Sequence, residues 1–147
     1  MLQIAFIREN REKVITALAK KNMAAKVLVD EVILLDENRR SAQVTLDNTL
    51  SESNKLSKDI GDLMKNGEKS KAEILKLKTV QLRDLGKELA VKVEILANEL
   101  TSKMYLLPNL PAEIVPVGKT PEENLNVFQE GTIPVLHDGA QPHWELV

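Results

Sequence analysis

The residues of this chain best suited to binding chemistry are lysines and arginines gathered in its middle third. Residues 55–92 carry 10 basic and 6 acidic groups, whereas residues 93–147 carry 2 and 8. Cations spaced along a long surface can neutralise the phosphates of a nucleic-acid backbone. The same residues are also common on helical surfaces that are merely solvated. The candidate binding residues are Lys55, Lys58, Lys65, Lys69, Lys71, Lys76, Lys78 and Arg83, with Arg40 as a weaker candidate.

Side chains for covalent or acid–base catalysis do not form any recognisable set. The sequence shows no paired carboxylates, no serine–histidine–aspartate set and no glycine-rich phosphate loop. It has no cysteine, which excludes disulfides and thiolate metal sites. His137 and His143 lie in a proline-rich stretch, at a spacing that makes a poor metal site. We therefore predict neither a catalytic residue nor a bound metal or cofactor in this chain.

The overall composition is typical of a helical protein. Of the 147 residues, 43% are hydrophobic but only 3% are aromatic, which favours aliphatic helix-on-helix packing. The net charge of −2 indicates by itself neither nucleic acid nor membrane as a partner. No apolar run is long enough for a secretion signal or a membrane span. We expect a soluble, cytoplasmic protein.

The strongest periodic pattern lies between residues 28 and 63. Apolar residues recur there in alternating steps of four and three, without any proline, as the heptad seam of a coiled coil does. At about 1.5 Å per residue this rod is roughly 54 Å long, so it needs a partner helix. The seam positions are Leu28, Val32, Leu35, Arg39, Ala42, Leu46, Thr49, Ser53, Leu56, Ile60 and Leu63. Arg39 is expected to extend its charge to solvent or to pair with an acid of the partner helix.

A second rod follows directly after a turn. Asn66 and Gly67 both accept positive φ, so we predict the turn at residues 65–70 and rods at 28–64 and 70–105. The second apolar stripe consists of Ile74, Leu75, Leu82, Leu85, Leu89, Val93, Leu96, Leu100 and Met104. Its steps are nearer to an eleven-residue repeat than to a heptad, which predicts weak or reversed supercoiling toward the base. The expected fold class is mainly α, a long antiparallel two-helix hairpin.

The two ends of the chain differ from the rods. A short amphipathic helix is predicted near the start, with Asn10 as its N-cap and with Val14, Ile15 and Leu18 on its apolar face. Residues 108–147 contain all six prolines, which ends the second rod before Pro108. We divide the chain into an arm, residues 1–106, and a connector, residues 107–147. One short strand is predicted in the connector, at residues 125–128.

Several motifs, in one order along the chain, resemble the seryl-tRNA synthetases. They are residues 54–61 (NKLSKDIG), 107–111 (LPNLP), 115–118 (VPVG) followed by Glu123 and Asn124, and 142–146 (PHWEL), with weaker matches at 7–10 (IREN) and 35–40 (LDENRR). Arginines and a tryptophan that the family tends to show after Asn124 are replaced here by residues 128–131 (FQEG). The motifs that form the catalytic site of class II synthetases are not present.

The resemblance implies the N-terminal tRNA-binding arm of a serine–tRNA ligase, with the connector leading to a catalytic domain that lies outside this chain. A rod of this kind lies along the long variable arm of serine tRNA and recognises its shape and backbone, as A-form RNA requires. The lysines and arginines named above would make those contacts. For the parent enzyme the resemblance implies ATP, Mg²⁺ and serine as ligands and a homodimer, with neither DNA nor membrane as a partner.

Two further expectations concern the rival function and the tail. A structural or chaperone-like helical hairpin of the prefoldin type is the alternative, against which the proline-rich connector argues. The connector carries more apolar residues than its own length can cover. We therefore expect it to dock on the hairpin base or on another copy of the chain and to bury Trp144 there, with about 1.5–3 kcal/mol from that one side chain.

Overall fold

The computed structural model describes residues 2–132 and 134–145 and is dominated by two long antiparallel helices. Two short helices come first, α1 (Ile4–Glu9) and α2 (Arg11–Ala19). The hairpin consists of α3 (Lys26–Lys65) and α4 (Lys69–Tyr105), and two single 3₁₀ turns follow at Pro121–Glu123 and His143–Glu145. The predicted all-helical hairpin is confirmed, and the predicted rods lie within α3 and α4. By the rise of an α-helix, α3 is about 60 Å long.

The hairpin turn is short and depends on one glycine. Helix α3 ends at Lys65 and α4 begins at Lys69, so the turn lies within the predicted residues 65–70. Gly67 has φ 79°, a left-handed conformation that only glycine adopts without strain. The backbone N–H of Glu68 donates to the carbonyl of Leu63, which closes the end of α3. The interruption at Gly67 allows α4 to fold back along α3.

The predicted seam of α3 is confirmed, since each of its eleven positions is buried or half-buried. The partner expected for Arg39 was wrong. Its Nη2 lies 2.8 Å from Oδ1 of Asp36, one turn earlier in the same helix, rather than near an acid of α4. Side chains three residues apart share a helix face, so Asp36 satisfies Arg39 locally.

The seam of α4 differs from the predicted stripe. Ile74 and Leu85 are 68% and 44% exposed, whereas Ala72, Thr79 and Gly86 are buried. The observed seam is Ala72, Leu75, Thr79, Leu82, Gly86, Leu89, Val93, Leu96 and Leu100, then Met104 and Leu107. Its steps alternate between three and four as far as Leu100 and are then four and three to Met104 and Leu107, so the predicted eleven-residue spacing is seen only at the base, from Leu96 to Leu107. Small residues contribute little to a hydrophobic pattern, so larger apolar residues near them in the sequence were assigned to the seam instead.

The base of the hairpin carries the main apolar core. Helices α1 and α2 pack there against α3, and the buried cluster is Ile7, Val14, Leu18, Ala25, Val29, Val32, Leu100, Met104 and Leu107. Each fully buried aliphatic side chain of this kind contributes about 1.5–3 kcal/mol. The predicted amphipathic helix is confirmed as α2, with Asn10 at its N-cap position and with Val14 and Leu18 buried. The side chain of Asn10 makes no capping hydrogen bond; its Nδ2 donates to the carbonyl of Phe6 in α1, a helix that was not predicted.

Charged residues tie the short helices to α3. Asp36 is only 1% exposed and accepts from Nη1 of Arg8, 2.9 Å away, as well as from Arg39. Arg11 donates through Nε and Nη2 to the two carboxylate oxygens of Asp30, at 2.6 and 2.8 Å. The hydrogen bond to Asp30 raises the pKa of Arg11 above its ordinary value. These pairs fix the orientation of α1 and α2 at the base.

The connector docks in its first part only. Leu107 is buried in the core, and Leu110 packs against it. Nζ of Lys21 donates to the carbonyl of Asn109 at 2.7 Å, and Nδ2 of Asn22 donates to that of Gly118 at 2.9 Å. Nζ of Lys20 lies between the carbonyls of Glu113 and Val115. The turn that follows α2, residues 20–22, therefore holds residues 109–118.

Two predictions for the rest of the connector were wrong. Residues 125–128 form no strand, because residues 2–132 and 134–145 contain no other strand with which they could form a ladder. Instead, Oδ1 of Asn126 accepts from the backbone N–H of Phe128. Trp144 is 69% exposed and contacts His143 edge to face, so it is not buried on the hairpin base. Docking on a second copy of the chain stays a prediction. Leu146, the last residue of the PHWEL motif, lies outside the described residues.

Candidate nucleic-acid interface

Eight of the nine predicted binding residues surround the tip of the hairpin. Lys55, Lys58 and Lys65 lie on the last turns of α3, and the other five lie on the first turns of α4. All nine side chains are exposed. Arg40 is separate from them, because fifteen helical residues place it about 22 Å from Lys55 along the rod. The structure thus brings the lysines of the tip together and leaves Arg40 outside the group.

The cations of the tip divide over different faces of the hairpin. With Ser53 and Thr79 at position a of the heptad, Lys69, Lys76 and Arg83 fall at position e, whereas Lys71 and Lys78 fall at position g. Lys55, Lys58 and Lys65 fall at outer positions of α3, away from the seam. Sequence analysis treated these residues as one cluster. The seven-residue spacing was the signal that could have separated them.

At one edge of the hairpin, called here the e flank, the charged residues at the e positions of the tip are all basic. This flank consists of Leu50 and Ser57 from α3 and Lys69, Lys76 and Arg83 from α4. Ser57, Lys76 and Arg83 line one shallow groove of about 390 Å³ together with Ile60, Thr79 and Val80. The seven-residue spacing puts the three cations about 10.5 Å apart, in a line along the rod.

The opposite edge, called here the g flank, mixes both signs of charge. It consists of Glu52 and Asp59 from α3 and Lys71 and Lys78 from α4. Nζ of Lys78 lies 2.7 Å from Oε1 of Glu52, an ion pair that joins the two helices. Lys71 pairs with Glu68 at the start of α4. The lysines of this flank therefore have acidic partners close by.

The remaining cations have weaker or no ionic partners within the described part of the chain. Lys76 lies 3.3 Å from Glu73, and Lys65 lies 3.5 Å from Asp62, both as exposed pairs within one helix. Such pairs contribute at most about 1 kcal/mol, so a phosphate can replace the carboxylate. Among residues 2–132 and 134–145, Lys55, Lys58, Lys69, Arg83 and Arg40 form no ion pair.

The rod that carries these cations is held by small and hydroxylated residues near its tip. Ser53, Thr79 and Ala72 are buried in the seam there. Oγ1 of Thr79 donates to the carbonyl of Leu75 at 2.8 Å, so its hydroxyl is satisfied within its own helix. Small seam residues let the two helices approach closely. The tip is therefore a narrow two-helix rod with its charges on the outside.

The described residues contain no group of three or more histidine, aspartate or glutamate residues that could hold a metal ion. No glycine-rich loop of the kind that holds the phosphates of ATP lies in these ranges either. Across the described ranges, no helix has both the length and the apolar character needed to cross a membrane. A groove of about 630 Å³ lies near the base between α3 and α4 and is lined mainly by apolar surface.

Comparison with known proteins gives one consistent answer. The seryl-tRNA synthetase N-terminal domain family matches residues 1–111. Serine–tRNA ligases of Mesoplasma florum and Rhizobium etli are 30% and 36% identical over 146 and 148 residues, 99% of this chain in both cases. The chain spans about a third of the length of these relatives, 34% in each.

A solved structure agrees with the sequence comparison. Seryl-tRNA synthetase from Pyrococcus horikoshii, complexed with ATP, matches 84% of this chain and 27% of its own with a TM-score of 0.76 and 32% identity. Most of the fold of this chain therefore has a counterpart in a synthetase. The chain belongs to the seryl-tRNA synthetase N-terminal domain family.

Proposed function

We propose that this chain is the tRNA-binding arm of a serine–tRNA ligase and that it holds the long variable arm of serine tRNA. The observation that carries the proposal is the exposed group of cations at the tip of a rigid rod. Membership of the synthetase family makes RNA the polyanion that such a surface would meet.

The shape of the hairpin supports recognition of an RNA helix by its backbone. A-form RNA hides its base edges in a deep, narrow groove, so a protein rod contacts phosphates and 2′-hydroxyls. Each phosphate that a lysine or arginine neutralises releases condensed counterions, which supplies most of the affinity. Such binding needs length, rigidity and spaced cations, and α3 and α4 provide all three.

The chemistry of the parent enzyme is a further part of the proposal. The relatives are serine–tRNA ligases, and one solved relative binds ATP. We propose that the parent attaches serine to tRNA in the cytoplasm, as a homodimer, with ATP and Mg²⁺ bound by parts of the protein outside this chain. In that enzyme the arm contributes tRNA binding and orientation but no reacting group.

The proposal can be tested by binding of serine tRNA to the 147-residue chain. Fluorescence anisotropy with labelled serine tRNA is compared with a tRNA that has a short variable arm. We expect tighter binding of serine tRNA, with a loss of about tenfold or more between 50 and 200 mM salt because phosphate contacts dominate. Equal affinity for the two tRNAs would contradict recognition of the variable arm.

A set of charge variants separates the tip from general electrostatics. Replacing Lys69, Lys71, Lys76 and Lys78 with glutamine should weaken binding at least tenfold. The matched control replaces four exposed lysines elsewhere, Lys13, Lys26, Lys92 and Lys119, and should change affinity less than threefold. Circular dichroism should show equal helicity for both. Equal losses of affinity would mean that the tip is only solvated surface.

A further inference from the structure

We infer that the RNA backbone lies along the e flank of the hairpin, on Lys69, Lys76 and Arg83, and not along the g flank. This inference rests on the proposed function and assigns the contact to one edge of the rod. It reduces nine candidate residues to three.

The first step of the argument is the arrangement of charge on the e flank. Lys69, Lys76 and Arg83 repeat every seven residues, so they form one line parallel to the axis of α4, about 10.5 Å apart. Facing them, α3 has Leu50 and Ser57 at its own e positions, neither of which is charged. The nearest carboxylate, that of Glu73, forms only an exposed pair with Lys76 within α4, and α3 places no carboxylate opposite these cations.

The second step is the neutralisation of the g flank. Lys71 and Lys78 are as exposed as their counterparts, but α3 places Glu52 and Asp59 on the same edge. The pair of Lys78 with Glu52, at 2.7 Å, would have to break or remain beside a phosphate. A carboxylate at that distance cancels most of the attraction that the lysine exerts on an anion.

The third step concerns the geometry of individual donors. Arg83 forms no ion pair among the described residues, and its planar guanidinium can bind a phosphate through two parallel hydrogen bonds. Lys76 lines the same groove, about 390 Å³ in volume, and its exposed contact to Glu73 is the weak kind that a phosphate displaces. Ser57 lies on the opposite side of that groove, where its hydroxyl donates to the carbonyl of Ser53 at 2.9 Å and leaves the phosphate to the two cations.

The test compares two triple variants that remove the same charge from opposite edges. The first variant removes the three positive charges of the e flank, by Lys69→Gln, Lys76→Gln and Arg83→Gln. The second removes three positive charges from g positions of α4, by Lys71→Gln, Lys78→Gln and Lys92→Gln. We expect the first variant to lose at least tenfold in affinity for serine tRNA and the second less than threefold. The slope of log K against log salt concentration should become less steep by about two to three for the first variant only.

A crosslinking experiment checks the same point without relying on charge removal. The chain has no cysteine, so Ser57→Cys and Asp59→Cys each give one unique attachment site for a photoreactive group. Crosslinks to serine tRNA should form from position 57, on the e flank, and be several-fold fewer from position 59, on the g flank.

The outcomes separate this inference from the proposed function. Equal losses of affinity in the two triple variants, or stronger crosslinking from position 59, would contradict RNA binding along the e flank. The arm would still be a tRNA-binding element. Failure of the unmodified chain to prefer serine tRNA would instead overturn the proposed function.

Discussion

The base and the tip of the hairpin bury different types of side chain. At the base, Leu18, Val29 and Val32 are fully buried, and α1 and α2 cover α3. Toward the tip, the buried seam positions include Ser53, Ala72 and Thr79, with no third helix packed on them. The difference indicates that the base supplies most of the stability. The tip is left narrow and exposed, which suits a surface that has to meet a partner.

The largest expected effect comes from deleting a leucine at the base. Leu18→Ala should lower the free energy of unfolding by about 2–5 kcal/mol, because Leu18 is fully enclosed and its loss leaves a cavity. Leu63→Ala, the same change at a half-buried seam position near the tip, should cost only about 1 kcal/mol. Urea unfolding followed by circular dichroism measures both. Equal costs would contradict a base that dominates stability.

The second expected effect compares one charge deletion at each end. Asp36→Ala should cost about 1–3 kcal/mol, since it leaves Arg8 and Arg39, each about one-third exposed, without their shared buried acceptor. Asp62→Ala removes a carboxylate that pairs with Lys65 in the open and should change stability by less than about 0.5 kcal/mol. Thermal unfolding of the two variants gives the comparison. A cost at Asp62 matching that at Asp36 would mean that burial of the acid is unimportant.

The smallest effects are expected from replacing two glycines, Gly86 in α4 and Gly67 in the turn, with alanine. A Cβ on Gly86 would lie 3.5 Å from Cδ2 of Leu50, an ordinary contact, so Gly86→Ala should stabilise the helix by about 0.5–1 kcal/mol. Gly67→Ala should destabilise by about 1 kcal/mol, because φ at the turn is positive. Opposite signs in urea unfolding are the expected result. A destabilising Gly86→Ala would show that the seam is tighter there than the distance indicates.

The heptad analysis predicted α3 better than α4, and the reason lies in particular residues. Leu28, Val32 and Leu46 stand at regular steps and are large enough to reveal the buried face of α3. In α4 the partner face includes Ala72, Thr79 and Gly86, which look like surface residues by type. Ile74 and Leu85 look like core residues but are exposed. Hydrophobicity identifies a buried position only when the packing leaves room for a large side chain.

The sequence indicated which basic residues form the candidate site, but not how those residues are distributed over the faces of the hairpin. Eight cations of the tip were found from charge alone, and Arg40 was included although it lies far along the rod. Those on α4 divide between two edges by their own seven-residue spacing, but the difference in charge between the e flank and the g flank depends on Glu52 and Asp59, which belong to the other helix. The neighbours of a residue across the hairpin depend on how the two helices pair. The charge density along the sequence describes each helix separately and does not show which residues of the other helix lie beside it.

The sequence by itself determined the two long helices, the turn at Asn66 and Gly67, and membership of the family. These depend on local periodicity, on the backbone freedom of glycine and on motifs that are read along one chain. Only the tertiary structure decided which residues of α4 face α3, which acid holds Arg8 and Arg39, and how Lys20, Lys21 and Asn22 hold the connector. Those contacts join residues far apart in sequence, and they are selected by the fit of side chains on two surfaces packed at close to crystal density.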